Sequence, residues 1–131
     1  MKSNLDKFFK TDAKHAEDGV EFVIDEKTAF KVRHFNQTNP RIKAAMAQHY
    51  KPYAKQVELG TLGLDKQMEI NVKVFIDVCL VSWRGVEIDG KEADCTPENA
   101  HKLFLDLPNL FDALWKHAND FQHYKEDVGN S

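Results

Sequence analysis

From Leu64 to Trp83 the chain contains neither glycine nor proline, and this segment constrains the fold more than any other. Ile70, Val72, Val74, Ile76, Val78 and Leu80 alternate with other residues, a strand pattern rich in β-branched side chains. The same residues also fit a helix. Met68, Val72, Phe75, Ile76, Cys79 and Trp83 fall on one face, and Ile70, Val74, Val78 and Val81 on another. Glu69, Lys73, Asp77 and Arg84 fall on a polar stripe between them, so that Lys73 is expected to pair with Asp77 one turn on. Strands seldom exceed about eight residues, so an unbroken run of this length favours helix. A helix apolar on two sides is either the central core element or one that turns its second face to another subunit.

The flanking segments carry clearer punctuation. Val20–Ile24 and Ala29–Phe35 read as two strands joined by a turn at Asp25–Thr28, with Phe30, Val32 and His34 alternating with Lys31 and Arg33. Asn39-Pro40 opens a helix, because Asn caps well and a first-turn proline has no N–H to satisfy. Its apolar stripe is Ile42, Ala45, Met46, His49, Tyr50, Tyr53 and Val57; Pro52 should kink it, and Gly60 and Gly63 end it. Asp89-Gly90 marks a turn that can tip a small hairpin within a loop from Gly85 to Asp94. Thr96-Pro97-Glu98 starts a helix with the stripe Ala100, Leu103, Phe104 and Leu107. Pro108 should stop it and Asn109 cap the last helix, striped by Phe111, Leu114, Trp115, Ala118 and Phe121. The expected fold is mainly α, with four or five helices and a small N-terminal β-hairpin. It is one domain over residues 20–124, preceded by a polar arm at 1–19 (a short helix or unfixed) and followed by a flexible polar tail at 125–131.

A chain of 131 residues fits one core. Nine Phe among fourteen aromatics argue against disorder. No apolar stretch is long enough to span a membrane, and the N-terminus lacks the apolar centre of a secretory signal. A soluble cytoplasmic protein is the expectation. Cys79, in an apolar run, reads as a buried free thiol, and Cys95 as an ordinary loop residue. The six histidines show no metal-ligand spacing, and no phosphate loop or nucleophile motif is present, so neither metal, cofactor nor catalysis is expected. Tyr50 and Tyr53 beside Lys51 and Lys55 resemble an aromatic–basic nucleic-acid surface, but they sit on or beside an apolar stripe and read first as core.

Charge is unevenly placed. Seven of the eighteen Lys and Arg lie between Lys27 and Val57, where there is no acid; the rest of the chain holds the other eleven and all 21 acids. This is either a basic solvated face or one complementary to an acidic surface. The specific expectation is that Arg41, Lys43, Lys51 and Lys55 contact Glu98, Asp106, Asp112 and Asp120 of a neighbouring copy.

Three segments in order carry a resemblance: Val-Ser-Trp-Arg-Gly-Val-Glu-Ile-Asp-Gly from Val81 to Gly90, Cys-Thr-Pro-Glu-Asn-Ala from Cys95 to Ala100, and Leu-Asp-Leu-Pro-Asn-Leu-Phe-Asp from Leu105 to Asp112, with Phe121 beyond. Together with Asn39–Lys43 and Tyr50–Tyr53 they resemble the tail assembly chaperones of long-tailed bacteriophages, over roughly residues 20–126. The resemblance implies a mainly helical fold with Leu64 to Trp83 as helix. It further implies several copies gathered on the tape measure protein, which they keep soluble until the tail tube forms, and absence from the finished virion. A programmed frameshift near the end of the gene commonly extends some chains in that family, and the longer form bridges to the tape measure protein. The tail tube protein is a further possible partner, and the setting is the host cytoplasm. No catalytic residue is implied. Two other readings stand beside it: a virion joining or capping protein, and a small nucleic-acid-binding regulator using the basic segment 27–57.

Overall fold

A computed structural model describes residues 2–36 and 38–125. Their elements run α1 (Asp6–Phe9), α2 (Ala13–Asp18), β1 (Val20–Val23), β2 (Ala29–Val32), α3 (Pro40–Tyr50), a 3-10 turn (Lys51–Tyr53), α4 (Ala54–Leu59), α5 (Leu64–Val78), β3 (Leu80–Arg84), β4 (Glu87–Ile88), β5 (Lys91–Glu92), α6 (Pro97–Asp106), α7 (Pro108–Asn119) and a closing 3-10 turn (Phe121–His123). The chain is mostly helical, as expected, but its strands form more than one hairpin. β1, β2 and β3 make an antiparallel sheet in that order, and β4 and β5 a separate hairpin.

The long apolar segment therefore divides. α5 ends at Val78, and Leu80 to Arg84 leave the expected helix to pair with β2. Sheet pairing supplies what periodicity cannot register: the β-branched and aromatic residues there find a partner strand. Trp83 lies opposite Phe30, which lies opposite Phe22, so the three rings share one face of the sheet. Phe30 meets Trp83 edge-to-face at 5.8 Å and Phe104 at 6.3 Å, which docks the sheet on the helices. β2 is also shorter than expected. Pairing shifts register after Lys31, and beyond Val32 the amides turn to other partners: Arg33 N–H donates to the Cys79 carbonyl (2.7 Å) and Phe35 N–H to that of Ala118 (2.8 Å). His34 thus lies outside the strand.

α5 is the core element, one of the two roles open to it. Ile70, Val72, Val74, Phe75 and Val78 are buried around it. Phe75 meets Phe104 and Phe111 nearly perpendicularly at 5.9 and 5.5 Å. Burying a side chain of this size contributes about 1.5–3 kcal/mol.

The punctuation mostly holds. Asn39 accepts from Arg41 N–H at 2.9 Å and Thr96 from Asn99 N–H at 3.1 Å, each satisfying an amide that the helix start leaves open. Pro52 breaks the helix into α3 and α4 through the 3-10 turn. Asp89 and Gly90 take positive φ at the tip of the small hairpin. Asn109 is a correction: Pro108 occupies the first turn of α7, Leu107 stands at the cap position, and no side chain caps that helix. The proline begins the last helix because its fixed φ suits a first turn as well as it ends the previous one.

The N-terminal segment is not an unfixed arm. Arg33 Nε donates to the Glu17 carbonyl at 2.6 Å, and Asp12 N–H donates to the Tyr124 carbonyl at 2.7 Å. Thr11 bridges to Lys125, so the expected tail is paired at its first residue; residues 126–131 lie outside the described ones. Among the described residues no helix is long and apolar enough to cross a membrane.

Candidate functional site

The four basic residues singled out from the sequence do not share a face. Arg41 is engaged within the chain, 2.7 Å from Glu17. Lys43, two residues on, lies about 200° around the same helix. Lys51 sits in the 3-10 turn and Lys55 on α4; with Lys43 they are exposed and make no ion pair among the described residues. The acids are dispersed as well. Glu98 opens α6 and Asp106 closes it. Asp112 pairs with Lys116 at 3.0 Å, and Asp120 accepts from Gln122 N–H at 3.0 Å.

Asp77 also differs from expectation. It meets His49 Nε2 at 2.5 Å, while Lys73 pairs with Glu69 at 3.6 Å. The helix offers Lys73 two acids one turn away, and a histidine from α3 takes the second. Glu69 also receives Lys66 at 3.2 Å, which holds its carboxyl below the usual range. His49 and Asp77 open on a cleft of about 430 Å³ with Glu98, His101 and Lys102. Its lining supplies acids, bases and apolar groups but no Ser, Thr or Cys to act as nucleophile. Cys79 is buried and its thiol is pushed up to about 12 by that burial, and Cys95 is half-buried. Among the described residues no three His, Cys, Asp or Glu are grouped to hold a metal ion.

The apolar surface is more distinctive. Leu59 and Leu64 are 64% and 80% exposed on either side of the turn between α4 and α5, with Val57 half exposed beside them. Leu64 and Met68 of α5 and Pro108, Phe111 and Trp115 of α7 line a groove of about 370 Å³, with Asp112 on it. Tyr50, Val57 and Leu62 line a second, of about 400 Å³. Gln67 borders both, its side-chain amide donating to the Leu62 carbonyl at 2.8 Å. A polar side chain held by its own hydrogen bond thus divides two adjoining apolar depressions. Val57 of α4 and its left-handed cap residue Gly60 form part of the wall of the second groove. The sequence signal for this surface is Leu59, Leu62 and Leu64, apolar residues in and flanking the Gly60–Gly63 turn, where solvent is the usual neighbour.

A family model described as YdaY prophage protein matches residues 37–130, well over half of the chain. No curated protein and no solved structure matches it.

Proposed function

The chain belongs to the YdaY prophage protein family, and from that premise we propose that it is a phage tail assembly chaperone. In this reading it acts without catalysis or cofactor, in the cytoplasm of the host. Several copies gather on the tape measure protein and are left out of the mature virion. The observation that carries the reading is the pair of apolar grooves divided by Gln67, with Leu64 80% exposed at the start of α5. An exposed apolar surface of this kind marks a place where another protein binds. Grooves beside helices take the apolar face of a partner helix, with anchors spaced one turn apart. Many copies on one long helical partner bind by avidity, so each groove need only be weak.

The basic side chains without ion pairs among the described residues, Lys43, Lys51 and Lys55, are available to an acidic neighbour. Arg41 lies 2.7 Å from Glu17 within the chain, so a neighbour's acid would compete with that exposed pair.

Two measurements test the reading. The tape measure protein of the same prophage, expressed with this chain, should co-purify with it, and Leu64→Asp should abolish the complex. Mass spectrometry of purified particles should not find the chain. Finding it there in stoichiometric amount would replace the chaperone with a virion joining protein. A nucleic-acid-binding regulator has less support, since Arg33 and Arg41 of the basic segment are both engaged with Glu17.

A further inference from the structure

The two ends of the described chain are stitched together around a group of histidines. Tyr124 is fully buried; its hydroxyl donates to the Val32 carbonyl at 2.9 Å and its own carbonyl accepts from Asp12 N–H at 2.7 Å. Phe9 of α1 meets Phe121 at 5.8 Å, and Thr11 bridges to Lys125. His34 stacks on the Tyr124 ring at 4.8 Å, while His117 stacks on His123 at 4.2 Å and meets Tyr124 edge-on at 5.9 Å. Nδ1 of His34 and Nε2 of His117 are buried without a hydrogen-bond partner.

We propose that residues 120–125 form a clasp joining the two ends of the described chain, and that protonation of His34 and His117 opens it. A ring nitrogen that is buried and unpartnered has nowhere to donate a second proton, so taking one up leaves an unsatisfied buried charge. His117 and His123, stacked face to face, cannot both be charged without repulsion. The surrounding charges do not cancel this. Around His117 stand Asp120 and Glu21 against Lys116 and His123, and Asp120 lies 3.6 Å from Nε2 of His123. Around His34 stand Glu17 against Arg33 and Arg41, with Asp120 further off. Burial lowers His117, His123 adds to the lowering, and the Val20 backbone and Asp120 oppose it. Burial likewise lowers His34, opposed by Asp120. With both groups held below the ordinary 6.5, the opened form takes up the proton more readily. The clasp is therefore fully held above that pH and weakens as pH falls below it.

Hydrogen exchange of the full chain at pH 7.5, 6.5 and 5.5, corrected for the intrinsic rate, tests this. Peptides spanning residues 10–18 and 119–125 should lose protection together below pH 6.5. Their opening constant should rise by up to about ten-fold per pH unit for each proton taken up. Residues 68–78 of α5 should keep their protection throughout. Protection of both ends unchanged down to pH 5.5, or lost in step with α5, would overturn the proposal. In His117→Phe, which keeps a ring against Phe22 and His123, the pH dependence should shrink; a dependence identical to that of the native chain would also overturn it. Should that variant lose α5 protection outright, an NMR titration of the native chain decides. The His117 ring and the Tyr124 ring should shift with one midpoint below 6.5, and a His117 titration that leaves Tyr124 unmoved would contradict the clasp.

Discussion

The hydroxyl of Tyr124 donates to the carbonyl of Val32 at 2.9 Å, in full burial and at the place where β2 and β3 change register. The end of the described chain is thereby fixed to the middle strand of the sheet.

Tyr124→Phe keeps the ring and removes the donor, so a buried carbonyl loses its partner. The expected cost is about 1–3 kcal/mol in urea unfolding, with an unchanged slope. Removing the residue altogether, by ending the chain at Asn119, should cost about 3–5 kcal/mol or more, as loss of a large buried aromatic does. If a frameshifted longer form exists, as the resemblance to tail assembly chaperones implies, mass spectrometry of the native gene's products should find that it diverges after Tyr124. A form diverging earlier would have to fold without the clasp.

Two glycines with positive φ should respond differently to alanine. At Gly85 (φ 73°) a Cβ would stand 2.3 Å from the Lys27 carbonyl oxygen, so the turn between β3 and β4 would have to move away from the β1–β2 turn. At Gly60 (φ 68°) a Cβ would meet nothing within 4 Å. Gly60→Ala should cost about 1–2 kcal/mol, the strain of a left-handed residue alone. Gly85→Ala should cost about 3 kcal/mol or more, strain and overpacking together. Thermal melts of the two variants compare them directly.

These details separate what one sequence makes legible from what it does not. Caps and breakers act locally, so Asn39, Pro52, Gly60, Asp89-Gly90 and Thr96 could be read without knowing the fold. The end of α5 could not: helix and strand patterns coincide across Leu64 to Trp83, and only the open side of β2 decides that Leu80 crosses into the sheet. Asp77 was assigned to Lys73 because both lie on one helix, whereas His49 comes from another element. The placement of the basic residues was hidden for the same reason. Arg41 and Lys43 are neighbours in sequence but nearly opposite on α3, and Glu17 was not expected beside Arg41. The groove between α5 and α7 was hidden because it takes residues from two segments far apart in sequence. The clasp was missed because its N-terminal partners, Phe9 to Asp12, lie in the arm that the expectation set outside the domain.

The two thiols should differ in reactivity. Cys79 is fully buried with its thiol pushed up to about 12, so almost no thiolate exists at pH 8 in the folded chain. Cys95 is half-buried and free. With an aromatic disulfide reagent at pH 8, Cys95 should react first, and Cys79 only at the rate of unfolding. Equal rates for both in the native state would contradict the placement of Cys79 in the core.

Substitutions on the exposed apolar surface should separate binding from stability. Leu64 is 80% exposed, so Leu64→Asp should change unfolding free energy by no more than about 0.5 kcal/mol. Reversal of Lys51 and Lys55 to Glu should weaken self-association and its salt dependence, if acidic surfaces of a second copy meet them. Reversal of Arg41 should act instead on the fold, through Glu17. Sedimentation at low and moderate salt reads the first effect and urea unfolding the second.

The most direct test of the central claim is the solubility of the tape measure protein of the same prophage, expressed alone, with this chain, and with Leu64→Asp. The account expects the tape measure protein to aggregate alone, to stay in the soluble fraction with the native chain, and to aggregate again with the variant. Equal solubility in all three, with no complex recovered, would contradict it.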